Sequence, residues 1–267
     1  MFTLSANAGW FEGDSYQRYF EAAKRGFKAI EELGWLHLDL DRARAAIDES
    51  GVAQSALLFQ SHHTDFAAKI DNRHGLVWAD AVDAFAHAVE ETLTAALKMN
   101  VRNIVVTSGN ERDDVSRYVQ HTNLVTALRK GAEIVRGSGV RLVLEPLNVL
   151  VDHKGYYLVT TAETVDVIEE VGSPDVRVLY DVYHQQISEG NLIPNIVNNI
   201  DLIGHFHIAD NPGRKEPGTG EINYTNILKA IRQTSYNGYL AFECGRSVPV
   251  PELAVNMHAL IDSYDER

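Results

Sequence analysis

The sequence alternates between short apolar runs that predict buried strands and longer amphipathic runs that predict helices. Several apolar runs are continuous and rich in β-branched residues, which is typical of parallel strands covered on both faces. This alternation favours an α/β fold with a parallel sheet. The predicted strands are residues 2–6, 27–33, 55–59, 103–109, 141–148, 176–183, 203–210 and 239–245.

The amphipathic runs carry apolar residues three and four positions apart, as a helix with one buried face requires. One of them opens with a capping box, in which Thr160 precedes Glu163 by three residues, and it closes on Gly172. The other predicted helices are residues 16–25, 81–100, 122–139 and 251–266.

Eight strand–helix units in a chain of 267 residues fit one (β/α)8 barrel, a fold of about 250 residues. A doubly wound open sheet shares the same alternation. The turn after the first predicted strand, SANAGW, lacks the G-x-G-x-x-G pattern with which such sheets bind dinucleotides. No linker or change in composition marks a boundary, so we predict that residues 1–267 form a single barrel domain.

The composition disfavours several functional classes. The formal net charge is −13 and no Lys/Arg cluster is present, which disfavours a nucleic-acid partner because phosphate neutralisation dominates that affinity. No run has the signature of a signal peptide or the apolar length of a membrane span, so no membrane partner is expected. Cys244 is the single cysteine, which favours a reducing compartment. We therefore expect a cytoplasmic protein.

Four ionisable residues lie near the ends of the last four predicted strands. They are Glu145, Asp181, His207 and Glu243, spaced by 36, 26 and 36 residues, each close to one strand–helix unit. A single such residue is often a helix cap or a hydrogen-bonded core residue. Four at corresponding places are harder to explain in that way, because a charged group beside a buried strand needs a partner or a metal. In (β/α)8 barrels this end of the strands carries the chemistry.

Three carboxylates and one imidazole form an oxygen-rich ligand set for one divalent metal ion. Mn²⁺ or Mg²⁺ suits such a set best, with Co²⁺ and Zn²⁺ as further candidates. An ion that binds a carbonyl and its neighbouring hydroxyl makes the intervening C–H more acidic by stabilising the enediolate. Glu145 and Glu243, on the first and last of the four strands, can flank that carbon and transfer its proton. The set predicts isomerisation or epimerisation of a hydroxy-carbonyl compound.

The same region resembles a known family. The motifs LEPLN, VDHKGYYL, LYDVYHQQISEGNL, GHFHIADNPGR and FECG, within residues 101–245, are together similar to the hydroxypyruvate isomerase family of the xylose isomerase-like (β/α)8 TIM barrels. That superfamily also contains ketose 3-epimerases and the barrel-type AP endonucleases. The resemblance implies an isomerase of carbohydrate metabolism that acts on a short hydroxy-keto acid or sugar, and relatives of this kind are often homo-oligomers.

The resemblance also implies roles for individual residues. The metal ligands would be Glu145, Asp181, His207 and Glu243, and the two glutamates would be the catalytic proton-transfer pair. His184, three residues after Asp181, and Arg214, seven after His207, match positions that contact substrate oxygens in relatives. A guanidinium can hold a carboxylate through two parallel hydrogen bonds, which suits hydroxypyruvate.

Other activities share parts of this pattern. A ketose or keto-sugar 3-epimerase uses the same site, although some such enzymes carry a further glutamate at the place of Val151. An eliminating lyase that acts on an oxidised sugar would expel a substituent from the same enediolate. A metal-dependent hydrolase or endonuclease would need further metal ligands and a basic groove. A sugar-binding barrel without catalysis would tolerate the loss of a glutamate.

Three further histidines have open roles. His205 faces the same side of the strand as His207, about 6.6 Å deeper, so we expect it to orient a ligand or to fill the barrel. His62 and His63 follow the third predicted strand, where they either line the pocket or form a surface pair.

Overall fold

The structure, a computed structural model, describes residues 1–262 and contains nine short parallel strands in one sheet. The order across the sheet is β3-β2-β1-β9-β8-β7-β6-β5-β4. The strands are β1 Thr3–Asn7, β2 Ala29–Glu31, β3 Ala53–Gln54, β4 Leu57–Leu58, β5 Asn103–Thr107, β6 Arg141–Glu145, β7 Val176–Asp181, β8 Ile203–Ile208 and β9 Tyr239–Phe242.

The two ends of this order belong to one extended segment, so the sheet closes on itself. β3 and β4 are separated by only two residues, and both fall in or beside the predicted strand 55–59. The amide of Ser55 donates to the carbonyl of Ile30 on β2 (3.0 Å), and the amide of Phe59 donates to the carbonyl of Val105 on β5 (3.1 Å). Nine strands therefore fill eight barrel positions, which confirms the predicted (β/α)8 barrel.

Ten α-helices lie within the described residues, most of them between successive strands. The helices are α1 Gln17–Lys24, α2 Leu40–Ser50, α3 Thr64–Ile70, α4 Val82–Met99, α5 Arg117–Val135, α6 Thr161–Val171, α7 Val182–Ser188, α8 Leu192–Asn198, α9 Tyr224–Arg232 and α10 Val250–Asp262. Residues 263–266 of the last predicted helix lie outside the described residues. Over residues 1–262, no helix combines the length and the apolar character that a bilayer crossing demands.

The helix ends follow local side-chain chemistry. The capping box of α6 is confirmed: Thr160 accepts from the Glu163 amide, Glu163 accepts from the Thr160 amide, and Gly172 ends the helix with φ 70°. α5 begins five residues before the predicted start at residue 122, because the Ser116 side chain accepts from the Val119 amide and caps the helix there.

The barrel interior is filled by side chains that point inwards from the strands. Part of it is a small apolar cluster of Ala56, Val105, Val143 and Leu179, which come from four successive barrel positions and are separate from the main core between sheet and helices. Two residues towards the carboxyl end of β6 and β7 the inward side chains become Glu145 and Asp181. The apolar cluster therefore forms a floor beneath the ionisable residues.

Candidate active site

The four ionisable residues at the strand ends converge in the structure. Glu145 and Asp181 are the last residues of β6 and β7, His207 lies in β8, and Glu243 directly follows β9. Asp181 and His207 are paired in register, so their side chains leave the sheet at one level. One ligand atom from each residue lies within 4.8 Å of the others. The structure thus brings together the whole predicted ligand set.

His207 lies at the centre of the cluster. Its Nδ1 atom is 3.2 Å from Glu145 Oε1 and 3.4 Å from Glu243 Oε2. Asp181 and His207 are fully buried and Glu145 is 5% exposed, whereas the Glu243 side chain is 30% exposed. A cavity of about 330 Å³, lined in part by Asn7 and Glu243, adjoins the cluster. Glu243 therefore connects the buried cluster with the space in which a small molecule can bind.

The environment separates the pKa values of the carboxyl groups. Burial raises the pKa of Glu145, and the charges of Glu243 and Asp181 add to this effect against the opposing charge of His207. Burial and the neighbouring Glu243 raise the pKa of Asp181 to about 6. Burial also acts to raise the pKa of Glu243, but His207 and Arg214 outweigh it and lower that pKa to about 2. Without a metal, Glu243 is the carboxylate that is held ionised.

The donor set fits a divalent metal ion. Asp181 Oδ2 is buried and has no hydrogen-bond partner among the described residues, a costly state for a carboxylate oxygen. Asp181 Oδ1, in contrast, accepts from the amides of Tyr183 and His184 at the start of α7. Three carboxylates around one imidazole repel each other unless a cation neutralises them. Glu145, Asp181, His207 and Glu243 can supply the protein ligands of one hard dication.

Arg214 and His184 lie beside the cluster. Arg214 Nη2 is 2.6 Å from Glu243 Oε2 and 3.2 Å from His184 Nε2. The Arg214 backbone has φ 50°, a left-handed conformation that costs a non-glycine residue about 1–3 kcal/mol and that clusters at functional sites. The surrounding contacts hold this guanidinium at the edge of the site.

The two ring nitrogens of His184 have different partners. The Asn148 side-chain amide lies 2.7 Å from Nδ1, and the Asn148 backbone N–H also faces that atom at 3.3 Å. Nδ1 therefore accepts from Asn148. Nε2 faces the Arg214 guanidinium, which is a donor, at 3.2 Å and Asp181 Oδ2, which is an acceptor, at 3.6 Å. Burial lowers the pKa of His184 to about 4, so the ring is neutral near pH 7 and its Nε2 atom faces the site.

Sequence reasoning missed Glu31. This residue ends β2 and is 6% exposed. Its Oε1 lies 2.9 Å from His207 Nε2, and its Oε2 lies 2.8 Å from His205 Nε2. The signal was present in the run FKAIEEL, in which an apolar strand ends in two acids. The four-strand pattern considered only the second half of the chain, and Glu31 comes from the opposite wall of the barrel.

The remaining histidines fall into two groups. His205 is fully buried and points inwards, as predicted. His62 has a side chain that is 61% exposed, and its Nδ1 atom lies 2.7 Å from Glu91. His63 stacks on Phe66 with ring centroids 4.3 Å apart. Of the two predictions for His62 and His63, the exposure and partner of His62 favour the surface pair.

Comparisons with known proteins agree with this architecture. Residues 20–263 match the family model described as a xylose isomerase-like TIM barrel. The hydroxypyruvate isomerase of Escherichia coli is 30% identical over 246 residues, which cover 91% of this chain and 93% of that protein. The 2-oxo-tetronate isomerase of Cupriavidus necator is 30% identical over 227 residues, 85% of each chain. A crystal structure described as an AP endonuclease, family 2, from Brucella melitensis superposes with a TM-score of 0.85 at 25% identity, covering 94% of this chain and 96% of that one.

Proposed function

The chain belongs to the xylose isomerase-like TIM barrel family, and on that premise we propose that it is a metal-dependent isomerase of short hydroxylated 2-oxo acids. The observation that carries the proposal is the convergence of Glu145, Asp181, His207 and Glu243 beside a cavity. Relatives named hydroxypyruvate isomerase and 2-oxo-tetronate isomerase match most of the chain, and both names describe hydroxylated 2-oxo acids.

The two glutamates have the properties of a proton-transfer pair. Isomerisation of a hydroxy-ketone removes a proton from one carbon and returns a proton to its neighbour through an enediolate. In the metal-free protein Glu243 is ionised and partly exposed to the cavity, which is the state in which a proton acceptor starts. The pKa of Glu145 is raised there, the direction that favours a proton carrier. Neighbouring carboxyl groups with pKa values set apart in this way suit an acid and a base.

The divalent ion, when bound, would supply positive charge that stabilises the enediolate. Glu145, Asp181, His207 and Glu243 would hold it, and the unpaired Asp181 Oδ2 would gain a partner. We propose Mn²⁺ or Mg²⁺ as the ion, because hard oxygen ligands dominate the set.

Arg214 and His184 are suited to orient the substrate. The Arg214 guanidinium is partly exposed and lies 2.6 Å from Glu243, so a substrate carboxylate bound to Arg214 is placed next to the proton-transfer group. The Nε2 atom of His184 lies beside this guanidinium and can form a hydrogen bond with a substrate group. Such placement favours short acids over neutral sugars, because a guanidinium binds a carboxylate through charge-assisted hydrogen bonds.

Exchange in D₂O tests the proposal directly. We expect the Mn²⁺-loaded protein to incorporate deuterium at the carbon next to the carbonyl of hydroxypyruvate or 2-oxo-tetronate, detected by proton NMR. An enediolate enzyme exchanges this proton even where the net conversion is small. Absence of exchange with both acids and with a panel of ketoses would contradict the proposed isomerase.

Two alternative activities would require different residues in the site. A ketose 3-epimerase would use the same pair of glutamates, and exchange in ketoses without exchange in the acids would favour it. Val151, at the place where some epimerases carry a glutamate, is 66% exposed and offers no acid–base group. An endonuclease would need further metal ligands. Within residues 1–262, two groups of residues could hold a metal ion, and because both include His207 they do not form two separate sites.

Acid is expected to weaken metal binding. Protons and the dication compete for the same carboxylates, and the pKa of Asp181 in the metal-free protein is about 6. Between about pH 7 and pH 5, Mn²⁺ affinity should therefore fall, by tenfold or more for each pH unit below about pH 6. Isothermal titration calorimetry across this range measures it. Equal affinity at both ends of the range would contradict ligation by Asp181.

A further inference from the structure

A buried polar network joins Glu31 to both histidines of β8. Glu31 Oε2 accepts a hydrogen bond from the Ser55 hydroxyl at 2.7 Å and faces His205 Nε2 at 2.8 Å. Ser5 in turn donates to the Ser55 hydroxyl at 2.8 Å. Glu31 Oε1 faces His207 Nε2 at 2.9 Å. The network connects β1, β2 and the third barrel position to β8 across the interior of the barrel.

The hydrogen-bond directions in this network are mutually consistent. The Asn103 side-chain amide donates to the Ser55 carbonyl at 3.2 Å and lies 3.4 Å from His205 Nδ1. Nδ1 of His205 therefore faces a donor, and its Nε2 carries the proton that points to Glu31. Both oxygens of Glu31 are thus approached by donors, which is what a buried carboxylate requires.

We propose that Glu31 is a positioning residue that keeps the proton of His207 on Nε2. The lone pair of Nδ1 is then free to bind the ion that Glu145, Asp181 and Glu243 would also hold. The contact between Glu31 and His207 is close but bent away from hydrogen-bond geometry, so the negative charge of the carboxylate contributes more than an aligned bond. His207 Nδ1 lies between Glu145 and Glu243, where only a deprotonated nitrogen can bind a cation. The inference rests on the part of the proposed function in which Glu145, Asp181, His207 and Glu243 bind a metal ion.

A second metal ion bound by Glu31, His205 and His207 is a less favourable interpretation of this network. These three residues do bring ligand atoms within 4.8 Å of one another. However, a metal there would have to displace the proton of His205 Nε2 and compete with the Ser55 hydroxyl for Glu31 Oε2. Carboxylates that orient a metal-binding histidine through its other nitrogen are common in metal sites. We therefore expect one equivalent of metal for each chain.

The first test compares Mn²⁺ affinity in Glu31→Gln and in the unchanged protein by calorimetry. A glutamine has one carbonyl oxygen, so it cannot accept from both imidazoles; its amide N–H₂ would face one ring and favour the wrong tautomer. We expect a loss of affinity of about 10–100-fold, and partial recovery in Glu31→Asp, which restores the charge. Unchanged affinity in a folded Glu31→Gln protein would overturn the proposal, as would two bound equivalents of Mn²⁺.

Glu91→Gln is the matched control. Glu91 also contacts two imidazoles and a serine hydroxyl, namely His62 (2.7 Å), His87 (2.7 Å) and Ser61 (2.7 Å). The His62 and His87 side chains are 61% and 42% exposed, Ser61 is buried, and none of the three belongs to the Glu31 network, so this substitution removes similar contacts elsewhere in the protein. We expect wild-type Mn²⁺ affinity in Glu91→Gln; an equal loss in both variants would show a general effect of removing a carboxylate and would overturn the proposal.

The second test uses the unchanged protein and does not depend on a variant that folds. Nitrogen-15 NMR of the Mg²⁺-loaded protein should show the proton of His207 on Nε2 and none on Nδ1. A proton on Nδ1, or an equal mixture of tautomers, would overturn the proposal. Both tests are independent of the isomerase assay: lack of D₂O exchange would contradict the proposed function alone, whereas failure of the unchanged protein to bind any dication would overturn both.

Discussion

Replacing Glu145 with glutamine is expected to reduce turnover by about 10²–10⁴-fold, the usual contribution of a positioned acid–base group. Glutamine has the same shape but cannot carry the proton between the two carbons, and it is a weaker metal ligand. Glu145 is 5% exposed and its carboxylate contacts His207, so an isosteric change limits damage to the packing. The measurement is the rate of substrate conversion at saturating Mn²⁺, with thermal unfolding to verify the fold.

Two controls separate the roles of Glu145. If calorimetry shows that Glu145→Gln still binds Mn²⁺ and turnover is lost, the loss lies in proton transfer. Glu91→Gln, a change outside the candidate site, should retain turnover. A Glu145→Gln protein that keeps more than half of the wild-type rate would contradict the assignment of this glutamate.

Removal of the metal with a chelator is expected to stop both substrate conversion and C–H exchange, and addition of Mn²⁺ should restore them. Without a cation, Glu145, Asp181 and Glu243 repel each other in a buried site, and the substrate lacks the charge that stabilises its enediolate. Activity in the chelator-treated protein, after metal analysis confirms that the ion is absent, would contradict the metal-dependent mechanism.

The same ion is expected to stabilise the fold. A ligand that binds only the native protein adds about 2.7 kcal/mol at a concentration 100 times its dissociation constant, which a thermal unfolding experiment resolves. The variant Asp181→Asn should lose most of this metal-dependent increase, because it removes the carboxylate oxygen that lacks a partner within the described chain. An equal increase in both proteins would place the metal elsewhere.

The sequence predicted the barrel and the four-residue cluster because both depend on local patterns. Apolar runs mark the strands, and the carboxyl ends of parallel strands meet at one edge of a barrel. Glu145, Asp181, His207 and Glu243 each follow such a run. Strand alternation also placed His205 and His207 on one face, and the structure has both rings inside the barrel.

Other features depend on contacts between distant segments, which the sequence does not show. Glu31 and His207 are 176 positions apart in the sequence but are in contact inside the barrel. No local pattern marks that pairing. The left-handed backbone of Arg214 arises in a loop whose conformation is set by its neighbours. The third predicted strand, residues 55–59, contains β4, whereas β3 precedes it, because the two parts of this segment pair with different neighbours.

The most direct test of the account is the position of a bound Mn²⁺ ion in a crystal, located from its anomalous scattering. The account predicts one peak within coordination distance of Glu145, Asp181, His207 Nδ1 and Glu243. A peak beside Glu31 and His205 instead, or a site that leaves any of the four residues uncoordinated by the ion, would contradict it.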